Sequence, residues 1–215
     1  MEGIEGSGKT TQLQKLAQAL RSTGQNCVVT KEPGGTPLAE RVRAILLDPQ
    51  EEGMDATAEL FLYSAARRQH VIDVIQPALD AGATVLTDRF TDATIAYQGY
   101  GRALNLDLLR TINEIATSGL RPDLTLIFDL PEEVGLTRAR RRNAGSPMLQ
   151  SESRLEGEDL RFHRRVREGY LAMAVAEPER FAVIDASGGA DEVFHRVVGE
   201  LAKRAPRLKL EPARS

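Results

Sequence analysis

Gly3, Gly6, Gly8, Lys9 and Thr10 stand in the pattern G-x-x-x-x-G-K-[ST] within Met1-Glu-Gly-Ile-Glu-Gly-Ser-Gly-Lys-Thr10. This spacing suits a loop that holds phosphate. Backbone N–H groups must curl around anionic oxygens, and glycines leave out the Cβ atoms that would block the curl. The whole stretch Gly3, Ile4, Glu5, Gly6, Ser7, Gly8, Lys9 and Thr10 is therefore read as a nucleotide-phosphate cradle. Lys9 would reach the β- and γ-phosphates, and the Thr10 hydroxyl could ligate Mg²⁺. A helical pattern follows at once in Leu13, Leu16, Ala17 and Leu20, so the positive end of a helix faces the anion.

A second group is Asp88-Arg89-Phe90, directly after the apolar stretch Thr84-Val-Leu-Thr87. An acidic residue at the end of a second strand commonly serves Mg²⁺ beside a P-loop, which makes Asp88 the partner of Thr10. Arg89 could hold a phosphate bidentately. Without the P-loop, a surface ion pair would be the better reading of Asp88 and Arg89. Tyr63 and Arg67 stand four residues apart, on one helix face. A ring and a five-donor fork could stack on a base and bond its carbonyl. On spacing alone, an aromatic on a core stripe with a snorkelling arginine explains them better. Thr137-Arg-Ala-Arg-Arg-Arg142 gathers cations at a helix end. This is either a solvated face favoured by the helix dipole or a mobile arginine closing over phosphates. The histidines His70, His163 and His195 have no metal-ligand spacing, and His163 reads as structural.

The elements that must position these groups alternate. Strand signals fall at Asn26–Thr30, Thr84–Thr87, Leu124–Asp129 and Phe181–Asp185. Helical signals fall at 9–23, 36–47, 55–71, 105–118, 131–143, 156–177 and 190–205, with Pro77 kinking or restarting the third. Thr36 caps the second helix with Pro37 at its first position. Strands joined by helical crossovers imply a parallel sheet with helices on both faces and ligands at the strands' carboxyl ends. The predicted fold is α/β, a P-loop NTPase-type parallel sheet with helices on both faces. It forms one domain over 1–205, with a lid insertion at about 143–155 and a flexible tail at 206–215. One feature departs from that plan. Only Met1 and Glu2 precede the loop, too few for a strand of about five or six residues. The first strand therefore reads as truncated. The expectation is an extension of roughly six to ten β-branched and aromatic residues upstream, without which the chain would be poorly soluble or weakly active.

At 215 residues, 41% hydrophobic and 27% charged, the chain suits one soluble domain. A net charge of −3 argues against a nucleic-acid binder that relies on a broad basic surface. No apolar run approaches the roughly 18 residues of a membrane span, and no signal peptide is visible, so the cytoplasm is the default. The single cysteine, Cys27, reads as a buried strand thiol.

Taken in order, the motifs resemble the thymidylate kinase family, in particular its bacterial branch. They are Glu2-Gly-Ile-Glu-Gly-Ser-Gly-Lys-Thr-Thr11, Lys31-Glu-Pro-Gly-Gly-Thr36, Tyr63-Ser-Ala-Ala-Arg-Arg-Gln-His70, Asp88-Arg-Phe-Thr-Asp-Ala-Thr-Ile-Ala-Tyr-Gln-Gly-Tyr-Gly-Arg102, Arg121-Pro-Asp-Leu-Thr125 and Phe162-His-Arg-Arg-Val-Arg-Glu-Gly-Tyr170. The resemblance implies transfer of the ATP γ-phosphate to dTMP, with Mg²⁺, in a cytoplasmic homodimer that contacts neither membrane nor nucleic acid. It implies that Glu5 lies by the deoxyribose 3′-hydroxyl, Tyr63 stacks on thymine and Arg67 bonds its O4. Arg89 would take the dTMP phosphate, Thr94, Tyr97 and Gln98 would line the nucleoside, and Tyr97 would crowd a ribose 2′-hydroxyl. Asp185-Ala-Ser187 would lie near adenine. With Ile4, Glu5, Gly6 and Ser7 in the loop, no P-loop arginine is available. The transfer-assisting arginine is then implied to come from the lid, with Arg142 the candidate and Arg138 nearer the adenine. Lys31 and Ser153 depart from the family pattern, which has arginine and aspartate there, and the stretch from Arg142 to Arg154 is longer than the compact bacterial type. The alternatives are a deoxynucleoside kinase or a catalytically impaired, nucleotide-binding paralogue or truncated form. Turnover with purified protein separates these.

Overall fold

The computed structural model describes residues 1–51, 53–145 and 154–210. Its strands are β1 (Cys27–Lys31), β2 (Thr84–Asp88), β3 (Thr125–Asp129) and β4 (Phe181–Asp185). The larger helices are α1 (Lys9–Ser22), α2 (Pro37–Leu47), α3 (Ala56–His70), α4 (Gln76–Asp80), α5 (Thr91–Thr94), α6 (Leu106–Thr117), α7 (Glu132–Ala144), α8 (Leu160–Ala176) and α9 (Ala190–Arg204). Caps set several starts. The Thr36 hydroxyl accepts from Ala39 N, the Asp55 carboxylate from Thr57 N and Ala58 N, and the Asn105 carbonyl from Asp107 N and Leu108 N. Asp159 caps α8, so that helix begins at Leu160 and not at 156; Arg154–Gly157 is a separate 3₁₀ turn.

β1 pairs with β2 and β3 with β4, both parallel, with Lys31 opposite Asp88 and Asp129 opposite Asp185. Met1 and Glu2 lie between the two pairs. The Met1 amine donates to Thr87 O at 2.7 Å, and Met1 O accepts from Arg89 N at 2.9 Å. On the other side Glu2 N donates to Leu126 O and Glu2 O accepts from Phe128 N, both at 2.8 Å. Glu2 makes one parallel bridge, to Ile127, and no strand. Two residues thus tie the loop's start to both neighbours by backbone bonds.

Alternation along β3 divides the core. Leu126 and Phe128 pack with Leu16, Leu20, Ile184, Val193 and Val197 on the α1/α9 face, while Ile127 packs with Leu60, Leu109, Phe162 and Tyr170 on the other. Helices therefore cover both faces, as the pattern required. Cys27 is buried, with its thiol toward Ala17 O. Two π-helical turns were not foreseen. Val71–Ile75 carries α3 into α4 ahead of Pro77, and Ile95–Gly101 follows α5. Most of the lid expectation, 146–153, and the tail beyond Leu210 lie outside the described residues. Pro206–Leu208 is a 3₁₀ turn with Leu208 buried.

Candidate active site

The glycine loop leaves Glu2 and turns into α1. Gly3 has φ 137°, and a Cβ there would stand 2.6 Å from Phe128 O. At Gly6, φ 70°, a Cβ would collide with the Gly135 carbonyl on α7. Both positions therefore require glycine for close backbone approach as well as for the curl. Lys9 folds over this frame and donates to Gly3 O at 3.0 Å, Ile4 O at 2.7 Å and Ser7 Oγ at 3.3 Å. Burial, aided by Arg89, pushes its ammonium down to about 8.

Thr10 Oγ1 donates to Asp88 Oδ2 at 2.6 Å, so the two oxygens proposed for a cation are brought together across 78 positions of sequence. Burial alone would raise the Asp88 carboxyl, but Lys9, the Thr10 bond and Arg89 hold it below the usual range. Among the described residues no cluster of three or more His, Cys, Asp or Glu could form an all-protein metal cage. One hydroxyl beside one carboxylate fits Mg²⁺, which keeps most of its shell as water and phosphate oxygen.

Arg89 joins the loop to a neighbouring cleft. Its Nη2 donates to Glu5 Oε1 at 2.7 Å and Tyr97 OH at 2.9 Å; its Nη1 lies 3.3 Å from Gly3 O and 3.4 Å from Tyr170 OH. The Tyr97 ring stands beneath the guanidinium, 4.6 Å away, and its hydroxyl also donates to Glu5 Oε1. Burial would raise the Glu5 carboxyl, yet Arg89, His163 and Lys9 hold it well below the usual carboxylate range. Two members of this network escaped the sequence reading. Glu2 accepts from Phe90 N and from the Tyr170 hydroxyl, both at 2.7 Å, which locks the start of the loop to α8. His163 is fully buried with Nδ1 3.3 Å from Glu5 Oε2, off the line of a hydrogen bond. The available signals were a charged residue beside Phe162 and an acid directly before the first glycine.

The cleft is lined by Glu32, Tyr63, Arg67, Arg89, Ala93, Thr94, Tyr97, Gln98 and Leu155. The π-helical turn at 95–101 aims Tyr97 and Gln98 inward. Arg67 does not snorkel; it is 2% exposed and bonded to Glu32, Thr94, Asn113 and Phe90 O. Gln98 donates to the buried Glu59 carboxylate at 2.6 Å, which also holds Arg102 and Arg154. Arg138 on α7 reaches Ala186 O at 3.3 Å, next to the loop after β4. Arg142 is not brought to Lys9 or Arg89. It stands half-exposed with Nη2 3.0 Å from Glu156 Oε1 and Nε 3.0 Å from Asn143 Oδ1.

The lowered Lys9 makes a first prediction. A phosphate on Lys9 favours the ammonium, so ATP binding must draw in a proton wherever free Lys9 has lost one. Uptake should be roughly 0.1 proton at pH 7 and rise toward roughly 0.9 at pH 9. Calorimetric titration of ATP in buffers of differing ionisation enthalpy measures this, and uptake that stays flat across that range refutes the lysine's role.

Similarity to known proteins agrees with this geometry. The family described as "Thymidylate kinase" matches residues 1–197. The thymidylate kinase of Syntrophotalea carbinolica is 53% identical over 197 residues, covering 92% of this chain and 91% of that protein. That of Geobacter sulfurreducens is 53% identical over 206 residues, 96% of each. A crystal structure of thymidylate kinase from Ehrlichia chaffeensis superposes with a TM-score of 0.75 at 34% identity, covering 93% of this chain and 95% of that one.

Proposed function

The chain belongs to the thymidylate kinase family, and from that premise we propose how its residues divide the work. It is an ATP-dependent nucleoside monophosphate kinase that transfers the γ-phosphate of ATP to dTMP, giving ADP and dTDP. The deoxynucleoside-kinase and impaired-paralogue readings are set aside by those similarities. The observation that carries the division of labour is Arg89, which is bonded to the loop through Glu5 and Gly3 and lines the same cleft as Tyr63, Arg67 and Tyr97.

In this reading Gly3–Thr10 and Lys9 take the ATP phosphates, with Arg138 and Asp185–Ser187 toward the adenine. Thr10 and Asp88 would hold Mg²⁺, which neutralises charge on the β- and γ-phosphates when bound. Arg89 holds the acceptor phosphate, oriented from behind by Glu5 and Tyr97. Phosphoryl transfer requires positioning and charge compensation more than covalent chemistry, and a buried, always-charged fork supplies both. Glu5 sits by the 3′-hydroxyl, Tyr97 crowds a 2′-hydroxyl, Tyr63 stacks on the base and Arg67 bonds its O4. Thr94 and Gln98 shape the wall. Arg142 assists transfer from the lid side. A homodimer is supported by the exposed apolar side chains Phe61 on α3 and Leu108 and Ile115 on α6, two helices that pack together. Among the described residues no helix is long and apolar enough to cross a membrane.

Tyr63 and Arg67 line one cleft at a spacing that would let a ring stack on a pyrimidine while the guanidinium bonds its carbonyl. We expect dTMP to be the preferred acceptor, dUMP weaker and purine monophosphates poor. A coupled ADP-release assay across the monophosphates tests this, and equal rates with dTMP and AMP would sink the assignment of the cleft.

A further inference from the structure

His70 closes α3 and is fully buried, yet nothing in phosphoryl transfer calls for it. Its Nδ1 lies 2.9 Å from Glu32 Oε1 and its Nε2 2.6 Å from Thr30 Oγ1. The same Glu32 carboxylate accepts from Arg67 Nε at 2.8 Å through its other oxygen. A carboxylate paired with arginine only accepts, so the proton sits on His70 Nδ1 and points at Glu32. Nε2 is then the acceptor for the Thr30 hydroxyl. The loop 32–36 is shaped around this ring. At Gly35, φ 84°, a Cβ would stand 2.7 Å from His70 Cδ2 and 2.8 Å from Thr30 Oγ1.

The four bonds to Arg67 use Nε on Glu32, both Nη1 hydrogens on Thr94 and Asn113, and one Nη2 hydrogen on Phe90 O. One Nη2 hydrogen remains for the base. Arginine can also present Nε and Nη2 side by side to a single carboxylate. A buried Glu32 with no other donor on Oε1 would draw Nη2 to itself and compete with the base. His70 occupies that oxygen.

We propose that His70 is a positioning residue for recognition of the carbonyl at position 4 of the base: by satisfying Glu32 Oε1 it keeps Arg67 Nη2 free and its plane fixed. This rests on the reading that Arg67 bonds O4. The probe is the 5′-monophosphate of the 2′-deoxynucleoside of 5-methylpyrimidin-2-one, which is dTMP without its 4-oxygen and without the N3 hydrogen; the N3 change is the same for every variant, so the His70 effect is read from the change in discrimination between wild type and variant. The wild-type enzyme should favour dTMP by roughly 10-fold or more in kcat/KM, since the site's N–H is left unpaired by the probe. His70→Phe keeps the ring's bulk and removes the donor. It should raise KM for dTMP roughly 10-fold, with kcat within about threefold, and change kcat/KM for the probe less than about twofold. His70→Asn, whose amide can donate where Nδ1 did, should restore most of the discrimination.

Equal losses on both substrates would make His70 a packing residue and overturn the proposal. A wild-type enzyme that does not discriminate takes down the Arg67 reading and the proposal together. Intact discrimination in His70→Phe removes His70 alone. If His70→Phe melts below the assay temperature, Thr30→Val decides the matter. It leaves the ring in place and removes the hydroxyl that holds Nε2 and so the aim of Nδ1 at Glu32, and discrimination should fall by roughly threefold; unchanged discrimination there overturns the proposal.

Discussion

Arg89→Ala is expected to lower kcat/KM for dTMP by roughly 10³-fold or more, with KM rising and kcat falling together. The arginine meets Glu5, Tyr97, Gly3 O and Tyr170 in a buried corner. Its removal would take away the cation proposed for the acceptor phosphate. It also leaves the Glu5 carboxylate buried with its chief counter-charge gone, so the loop that holds ATP loses a restraint as well. Arg89→Lys should restore little, because a single ammonium cannot meet Glu5, Tyr97 and a phosphate at once. The backbone offers a control. Arg89 has φ 70°, a conformation that costs a residue with a Cβ of order 1 kcal/mol and glycine much less. Arg89→Gly should therefore melt above Arg89→Ala while being as inactive. Steady-state kinetics and calorimetric binding of dTMP measure the effect, and a loss smaller than tenfold would remove Arg89 from the acceptor site.

The parts of this molecule that sequence reveals are those fixed by near neighbours. Thr36 followed by Pro37 gives the start of α2, Asp55 that of α3, and an all-apolar Leu-Ile-Phe run gives a strand buried on both faces, β3. The Gly3–Thr10 spacing gives a loop in which close backbone approach explains Gly3 and Gly6, and a positive φ explains Gly8. What sequence conceals are partners chosen across the fold. Glu2 to Tyr170 spans 168 positions, and Arg67 to Glu32 spans 35. Tyr63 and Arg67 illustrate the limit. Their spacing places them on one helix face, and on spacing alone a snorkelling arginine was the better reading. Whether that face looks at solvent or at a cleft depends on α6, on the 95–101 turn and on Glu32, none of which lies within the helix. The π-helical turns are hidden for a similar reason. One added residue per turn is stabilised by tertiary packing of Tyr97 and Ile95 and leaves no mark in periodicity.

Met1 and Glu2 show how the start of the loop is held. Glu2 forms only a bridge. Four backbone bonds, two to each side, act together with the Glu2 side chain on Phe90 N and Tyr170. The buried Glu2 carboxyl is pushed up by its surroundings, and its oxygens are held at fixed angles by a backbone donor and a phenol.

The second large effect belongs to Arg142, proposed to assist the transfer. Arg142→Ala is expected to lower kcat roughly 10²-fold while KM for dTMP stays within about threefold. Arg142 ends α7, the helix whose Gly135 backbone abuts Gly6 of the phosphate loop, so its base is tied to the nucleotide site while its tip is not. Its tip is held by Glu156 and Asn143, half-exposed. A cation so placed is not part of the lining of the dTMP cleft proposed above. If it meets the transferring phosphate only as charge develops, its loss appears in turnover and not in affinity. Arg154 differs in kind. It is buried, with Nη2 2.6 Å from Glu59 Oε2 and Nε on Leu46 O, so Arg154→Ala should first lower the melting temperature by leaving Glu59 short of a partner. Glu156→Gln separates the two ideas further. It weakens the hold on Arg142 without touching Arg154, and should leave kcat equal to or above the wild-type value. Rapid-mix single-turnover measurements on these three variants resolve the chemical step from product release. Normal single turnover in Arg142→Ala, with slow turnover in a folded Arg154→Ala, would move the transfer-assisting role from the exposed arginine to the buried one.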